Sequence, residues 1–182
     1  MRIISGTYKG RKIIAPAKLP VRPTTDMAKE ALFNILNNQY YFDDIAVLDL
    51  FSGTGNISYE FASRGTVDIT AIDDHYGCIK FINDIAESFK MPIKTVKSDV
   101  FKFLENNNQN YSIIFADPPY DFEIELFSKI PELIFENNLL QDEGLLIIEH
   151  SKHTDLSHLE HYSHSKKYGG NMFSFFELSN HE

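Results

Sequence analysis

A single cysteine, Cys78, stands among the 182 residues, which excludes an intramolecular disulfide and fits a reducing compartment. No apolar run reaches membrane length and no cationic, apolar leader opens the chain, so a cytoplasmic protein without membrane attachment is expected. Net positive charge is missing as well: 17 Lys and Arg face 26 Asp and Glu, a net charge of −9, which is a poor overall balance for gripping a polyanion. There is no internal repeat, no long low-complexity linker and no HExxH pattern. Five histidines crowd residues 150–164 (His150, His153, His158, His161 and His164), but without a cysteine or a ligand spacing they read as exposed residues, and no metal is assigned. Cys78 falls in a presumed helix with no loop context, which argues against a nucleophile. At 43% apolar the chain can fill one α/β core and is too short for two full domains.

What is present begins with Ala46-Val47-Leu48-Asp49-Leu50-Phe51, an apolar run followed by Ser52-Gly53-Thr54-Gly55 and a helix-compatible stretch from Asn56 to Arg64. Strand, glycine turn and helix open a dinucleotide-type fold. Gly53 and Gly55 let a ligand approach the backbone, and the helix N-terminus adds partial positive charge. A third glycine is absent, since Ser58 stands where GxGxxG would have it. That favours a ligand without phosphates and with an amino-acid end, S-adenosylmethionine, over a pyrophosphate. Asp49 suits the ligand's ammonium, and Phe51 belongs to the same candidate cofactor set.

A second strand, Val67 to Ile72, ends in Asp73, 18 residues past Gly55, where an acid can accept from two ribose hydroxyls. Strand alternation allows only one of Asp73 and Asp74 to face the cleft, and Asp73 is expected there. A third strand, Ile93 to Lys97, leads to Asp99 and Val100, a carboxylate and a backbone donor suited to an adenine amino group and ring. Taken singly, each acid reads as a cap or turn residue; as an ordered set at strand ends they mark a ligand site.

The run Ile113-Ile114-Phe115-Ala116 delivers Asp117-Pro118-Pro119-Tyr120 to the same edge. Two prolines fix φ twice and remove two amide donors, so the loop is stiff and the Pro118 carbonyl projects outward. The Asp117 carboxylate and that carbonyl can hold both protons of an exocyclic NH2 group while Tyr120 stacks on the ring. Such a device alkylates a base nitrogen.

Charge is segregated along the chain. Residues 1–30 hold 7 of the 17 basic residues (Arg2, Lys9, Arg11, Lys12, Lys18, Arg22 and Lys29) against Asp26 and Glu30, a local net of +5; the other 152 residues carry 10 against 24, or −14. A basic hairpin of Ile3-Ile4, a Gly6-to-Gly10 turn and Ile13-Ile14 is expected to meet phosphates. A helix from about Met27 to Leu36 follows, with Ala28, Ala31, Leu32, Ile35 and Leu36 on its core face and Thr25 or Asp26 as cap. Arg22, Thr24 and Thr25 precede it and are candidate contacts to a flipped nucleotide or to the cofactor's carboxylate. Residues 105–110 read as a polar surface loop, and residues 136–141 do so in part. Gly144 to Glu149 reads as a fifth strand, and Tyr162 to Tyr168 with Met172 to Leu178 as a closing antiparallel pair about Gly169-Gly170.

Met1-Arg2-Ile3-Ile4-Ser5-Gly6, Lys9-Gly10-Arg11-Lys12, Arg22-Pro23-Thr24-Thr25-Asp26, Glu30-Ala31-Leu32-Phe33-Asn34-Ile35-Leu36, LDLFSGTG, DPPY and Tyr168-Gly169-Gly170 together resemble the RsmD-type methyltransferases over nearly the whole chain. The resemblance implies methyl transfer from S-adenosylmethionine to guanine N2 of bacterial 16S ribosomal RNA, in an assembled or late-precursor small subunit, by a monomer. It also implies a class I, Rossmann-like α/β fold. Its sheet is mostly parallel, with seven strands and an antiparallel last strand; residues 1–42 form a basic hairpin-and-helix extension and residues 43–182 the methyltransferase domain. Arg2, Lys9, Arg11, Lys12, Arg22, Thr24 and Thr25 are the expected RNA contacts. Three departures stand out: Ser5 where a second glycine is common, Asn56 where a small apolar residue is usual, and Lys29 where an arginine precedes the glutamate, a change that forfeits bidentate phosphate geometry. DPPY alone also suits an adenine-N6 methyltransferase of DNA or RNA, though this chain has no room for a sequence-reading domain. A non-catalytic assembly factor of the same fold is the alternative of another class.

Overall fold

The computed structural model describes residues 1–179. Five parallel strands, β1 (Ala46–Leu50), β2 (Asp68–Asp73), β3 (Ile93–Lys97), β4 (Tyr111–Ala116) and β5 (Leu140–Ser151), join β6 (Tyr162–Tyr168) and β7 (Asn171–Phe176) in one sheet of order β3-β2-β1-β4-β5-β7-β6. The last strand, β7, runs antiparallel to both of its neighbours. The chain leaves β1 towards β2 and β3, then returns to place β4 on the other side of β1, so a crevice opens between the carboxyl ends of β1 and β4.

Side-chain alternation splits the core in two. Val47, Ile113, Phe115, Leu145 and Ile147 pack against α1 (Asp26–Asn37), α2 (Asn56–Ser63) and α3 (Tyr76–Phe89); Leu48, Leu50, Ile114, Leu146 and Ile148 pack against α4 (Val100–Asn106) and α5 (Ile124–Glu136). Because both faces are covered, β1 and β4 read as continuous apolar runs rather than alternating ones. Asp49 shares parity with Val47, and Glu149 with Ile147, which puts both carboxylates on the face of α1–α3.

The N-terminal turn-back is present with little regular pairing: one antiparallel bridge, Arg2–Lys12, supported by Ile3–Arg11 and Ile13–Met1 backbone bonds. It is seated on α2. The Ile4 amide donates to the Glu60 carboxylate at 2.8 Å, the Thr7 amide to the Ser63 carbonyl at 2.7 Å, and the Ser63 hydroxyl to the Ser5 carbonyl at 2.6 Å. Gly6 sits at φ +88°, and a Cβ there would lie 1.9 Å from the Ser63 oxygen, so the approach admits only glycine. Thr25 is the N-cap of α1, accepting from the Ala28 amide.

Lys29 differs from the surface role expected of it. It is 1% exposed, with its ammonium donating to the Arg2 carbonyl at 2.5 Å and to Asn56 Oδ1 at 2.8 Å, while Asn56 Nδ2 donates to the Thr24 carbonyl at 3.0 Å. Two departures from the family pattern are thus one interaction. His150 also departs from expectation: it is buried, bridging Ser174 Oγ at 2.6 Å and the Ser151 carbonyl at 2.8 Å, and burial lowers its pKa. His153, His158 and His164 are exposed. Residues 136–141 are less loop-like than expected, since α5 runs to Glu136 and β5 begins at Leu140, with Leu139 and Leu140 buried. Among the described residues no helix is long and apolar enough to cross a membrane.

Candidate active site

A cleft of about 520 Å³ opens at the carboxyl ends of the parallel strands. It is lined by Asp49 near the end of β1 and Phe51 just past it, Gly53 in the following turn, Asp73 at the end of β2 and Asp74 beyond it, Asp99, Val100 and Phe101 before and within α4, and Asp117 to Tyr120 after β4. Residues 20–24 close one side, bringing Arg22 and Thr24 to the same space. Every residue expected to hold the cofactor reaches it except Gly55, whose φ of +88° turns the chain into α2 behind it. Asp74 lines the cleft beside Asp73, against expectation, because β2 ends at Asp73 and strand alternation no longer governs the next residue.

The turn after β1 is bent at three places: Phe51 at φ +54°, Gly53 at +56° and Gly55 at +88°. A phenylalanine in the left-handed region is an outlier that its surroundings must enforce. Here the Phe51 ring meets Phe122 edge-on at 5.5 Å and Phe101 at 6.4 Å, making an aromatic wall of which Phe101 and Phe122 escaped the sequence reading. Asp73 braces the turn from the other side, accepting from the Gly53 amide at 2.8 Å and the His75 amide at 2.9 Å.

Asp49 is 2% exposed and accepts from Ser58 Oγ at 2.7 Å. The serine that replaces the third glycine therefore supplies the donor for a buried acid. Burial pushes the Asp49 carboxyl up to about 7 against the Ser58 bond, with the Asp73 charge adding to the rise. Among the described residues it has no ion-pair partner. A buried acid with a neutral donor and no cation fits the ammonium of an amino-acid ligand. Asp99 is exposed at the cleft edge as the N-cap of α4, and the Val100 amide is in that helix's first turn, where donors lack intrahelical partners. These residues fit S-adenosylmethionine. Burial also raises the Cys78 thiol to about 11, which removes it from nucleophilic chemistry.

Asp117 follows Ala116, the last residue of β4, whose strand partner is Ile148, so Asp117 comes next to Glu149 of the adjacent strand. Its carboxyl is raised well above the usual range by burial first, then by Glu149 and Asp49. Pro118 is buried and Pro119 exposed; Tyr120 is 60% exposed, and its hydroxyl donates to Asn171 Oδ1 at 2.9 Å. Thr24 is buried and donates to Glu149 Oε2 at 2.6 Å. Arg2, Lys9, Arg11 and Lys12 stay on the N-terminal turn outside the cleft, with Arg2 paired to Asp26 at 3.4 Å and Arg11 over the Phe89 ring at 5.1 Å.

Strand order, glycine turn and a row of carboxylates at the switch point define a class I S-adenosylmethionine-dependent methyltransferase. The family described as conserved hypothetical protein 95 matches residues 1–177. The ribosomal RNA small subunit methyltransferase D of Escherichia coli strain K12 is 33% identical over 150 residues, covering 82% of this chain and 74% of that protein. Its namesake from Buchnera aphidicola subsp. Baizongia pistaciae is 32% identical over 150 residues, 82% of this chain and 75% of that one. The solved yhhF structure from Escherichia coli covers 98% of this chain and 99% of its own at a TM-score of 0.85 and 27% identity. The 16S rRNA N2 G1207 methyltransferase of T. thermophilus, solved with AdoMet and guanosine, shares the fold at a TM-score of 0.64 and 17% identity, over 88% of this chain and 45% of that one. The chain belongs to the RsmD family of ribosomal RNA small subunit methyltransferases.

Proposed function

We propose that this protein methylates the exocyclic N2 of a guanine in 16S ribosomal RNA, within an assembled or late-precursor small subunit, acting as a cytoplasmic monomer. The observation that carries the reading is Asp117-Pro118-Pro119-Tyr120 just past the end of β4, where a half-buried carboxyl, a carbonyl held by consecutive prolines and an exposed aromatic ring share one cleft with the cofactor-type turn. When bound, S-adenosylmethionine supplies an electrophilic methyl group on a sulfonium.

The target amine's lone pair is delocalised into the guanine ring, so orientation and electrostatic support matter more than a strong base. Ionised Asp117 and the Pro118 carbonyl accept the two N2 protons, aiming the lone pair into the cleft while Tyr120 stacks on the base. A carboxyl with a raised pKa is also a competent acceptor for the proton that the methylated nitrogen must shed. Guanine N2 is unreachable in stacked, paired RNA, so the base leaves its stack to enter. Asp49, Phe51, Gly53, Asp73, Asp99 and Val100 hold the cofactor, with Gly55 shaping the turn behind them. Arg22 and Thr24 meet the flipped nucleotide at the cleft, and Arg2, Lys9, Arg11 and Lys12 meet phosphates beyond it, with Thr25 fixing the loop between. The relatives' printed name, a small-subunit ribosomal RNA methyltransferase, supports the substrate class.

The test is nucleoside mass spectrometry on small subunits from a strain lacking the protein, before and after incubation with purified enzyme and S-adenosylmethionine. N2-methylguanosine is the expected product; N6-methyladenosine, or no new nucleoside from a protein that binds the cofactor, refutes the reading. Asp117→Ala should abolish turnover and spare cofactor binding, while Asp73→Ala should lose most cofactor binding; calorimetry showing cofactor loss in Asp117→Ala would overturn that division.

A further inference from the structure

Glu149 lies two residues before the end of β5, with both carboxylate oxygens engaged and only 3% of its surface exposed. Oε2 accepts from Thr24 Oγ1 at 2.6 Å, and Oε1 accepts from Asn171 Nδ2 at 2.9 Å. Asn171 in turn accepts from the Tyr120 hydroxyl at 2.9 Å. One side chain therefore joins three segments remote in sequence: the loop before α1, the start of β7 and the Asp117–Tyr120 loop. All three surround the place where the accepting base is read to enter. Glu149 itself does not line the cleft. An acid buried beside half-buried Asp117 and buried Asp49, with no Lys or Arg paired to it among the described residues, is costly for folding, and an apolar side chain would serve the core better.

We propose that Glu149 is the positioning residue of the methyl-accepting subsite, holding the Thr24 loop, the Asn171 turn and, through it, the Tyr120 ring around Asp117. This rests on the guanine-N2 reading and deepens it. Two effects follow. Tyr120 and Thr24 are fixed before the base arrives, so their ordering is not charged against binding. The Glu149 charge also acts on Asp117 from the adjacent strand. Asp117 is faced by Glu149 from β5 and Asp49 from β1, with Asp73 acting on Asp49 from β2. The 20–24 loop offers neutral Thr24 and exposed Arg22, and β7 offers neutral Asn171. Removing the Glu149 charge at constant shape lets Asp117 ionise at lower pH.

The experiment follows methylation of small subunits from a strain lacking the protein, as pH profiles of kcat and kcat/KM, with cofactor affinity by calorimetry, for wild type, Glu149→Gln, Glu149→Ala and Thr24→Val. Gln keeps groups able to bond Asn171 and Thr24, so Glu149→Gln should hold its plateau rate while the acid limb of kcat/KM moves down by about half a pH unit or more. Glu149→Ala and Thr24→Val, each losing a bond to a buried polar partner, should lower kcat/KM about tenfold or more with cofactor affinity within about twofold of wild type. Should Glu149→Ala not fold, Glu149→Gln and Thr24→Val decide the matter. A Glu149→Gln profile that superimposes on wild type, or a Thr24→Val loss confined to cofactor affinity, overturns the proposal. Wild type that makes no N2-methylguanosine overturns the guanine reading and this inference with it, whereas active wild type with unmoved variants overturns the inference alone.

Discussion

Replacing Asp49 with Asn should stabilise the protein in alkaline buffer while crippling cofactor binding. Asp49 ionises near 3.8 when unfolded and at about 7 in the fold, because burial outweighs the Ser58 hydrogen bond. A folded-state pKa that is raised gives stability present below the unfolded value and lost as pH climbs through the folded one. The loss therefore accumulates between pH 3.8 and about 7. Of that window about two units lie above pH 5, and at about 1.4 kcal/mol per unit the wild type forfeits about 3 kcal/mol between pH 5 and pH 8 through this group. Asn cannot ionise, yet its Oδ1 still accepts from Ser58. Neutralising the site also lets Asp117 ionise more easily, which acts in the same direction. For a chain of this size the Tm difference, variant minus wild type, should grow by roughly 6–12 °C between pH 5 and pH 8 in the ligand-free protein. Cofactor affinity should meanwhile fall roughly 10- to 150-fold, the worth of a lost bond to a charged group. Calorimetric melts at the two pH values and a titration with S-adenosylmethionine are the assays. A Tm difference that stays constant or narrows with pH would refute the buried-acid account of Asp49.

Two further outcomes concern the scaffold under the site. Gly6→Ala places a Cβ 1.9 Å from the Ser63 oxygen at a φ of +88°, so the N-terminal segment must lift off α2; urea unfolding should show a loss of about 2–4 kcal/mol, and a loss under about 1 would contradict the docking. Lys29→Met strands Asn56 Oδ1 and the Arg2 carbonyl without their buried donor, at a cost of about 1–3 kcal/mol. Combined with Asn56→Ala it should cost less than the two single losses together, by about 0.5 kcal/mol or more, whereas strict additivity would deny the pair.

The row of carboxylates along the cleft was legible because one rule covers it. Asp49, Asp73, Asp99 and Asp117 each stand at or just past the carboxyl end of a recognisable parallel strand, and in a doubly wound sheet such ends converge. The same rule extends to Gly144–Glu149, where Glu149 is an acid closing an apolar run with no adjoining motif to mark it. Its partners were out of reach, since Thr24 lies 125 positions upstream and no local pattern joins them. Lys29 carried a signal that its charge concealed: with Leu32, Phe33 and Leu36 it has the i, i+3, i+4, i+7 spacing of the buried stripe of α1. His150 was read as one of a surface cluster because of its neighbours in sequence, although its place at the end of an apolar strand already pointed inward. Phe101 and Phe122 flank recognised residues, and their meeting with Phe51 depends on how α4 and the loop after β4 pack.

The residues that look like irregularities in the sequence are the ones that tie the basic segment to the chemistry. Ser58, in place of a third glycine, is the donor for buried Asp49. Lys29 and Asn56, each unusual alone, link the Arg2 carbonyl through Lys29 Nζ and the Asn56 amide to the Thr24 carbonyl. Thr24 then passes by its hydroxyl to Glu149, and Glu149 by Asn171 to Tyr120. Every step but the last, the exposed Tyr120–Asn171 bond, involves a buried or half-buried group, where an unmade bond costs more than a made one gains. The consequence for a net-acidic protein is geometric. Its few free cations need not supply much affinity if the segment bearing Lys9, Arg11 and Lys12 is held at a fixed offset from Asp117. Phosphate contacts of that kind carry no sequence information, but they set register, and in the proposed function register is what brings one particular nucleotide to the DPPY loop.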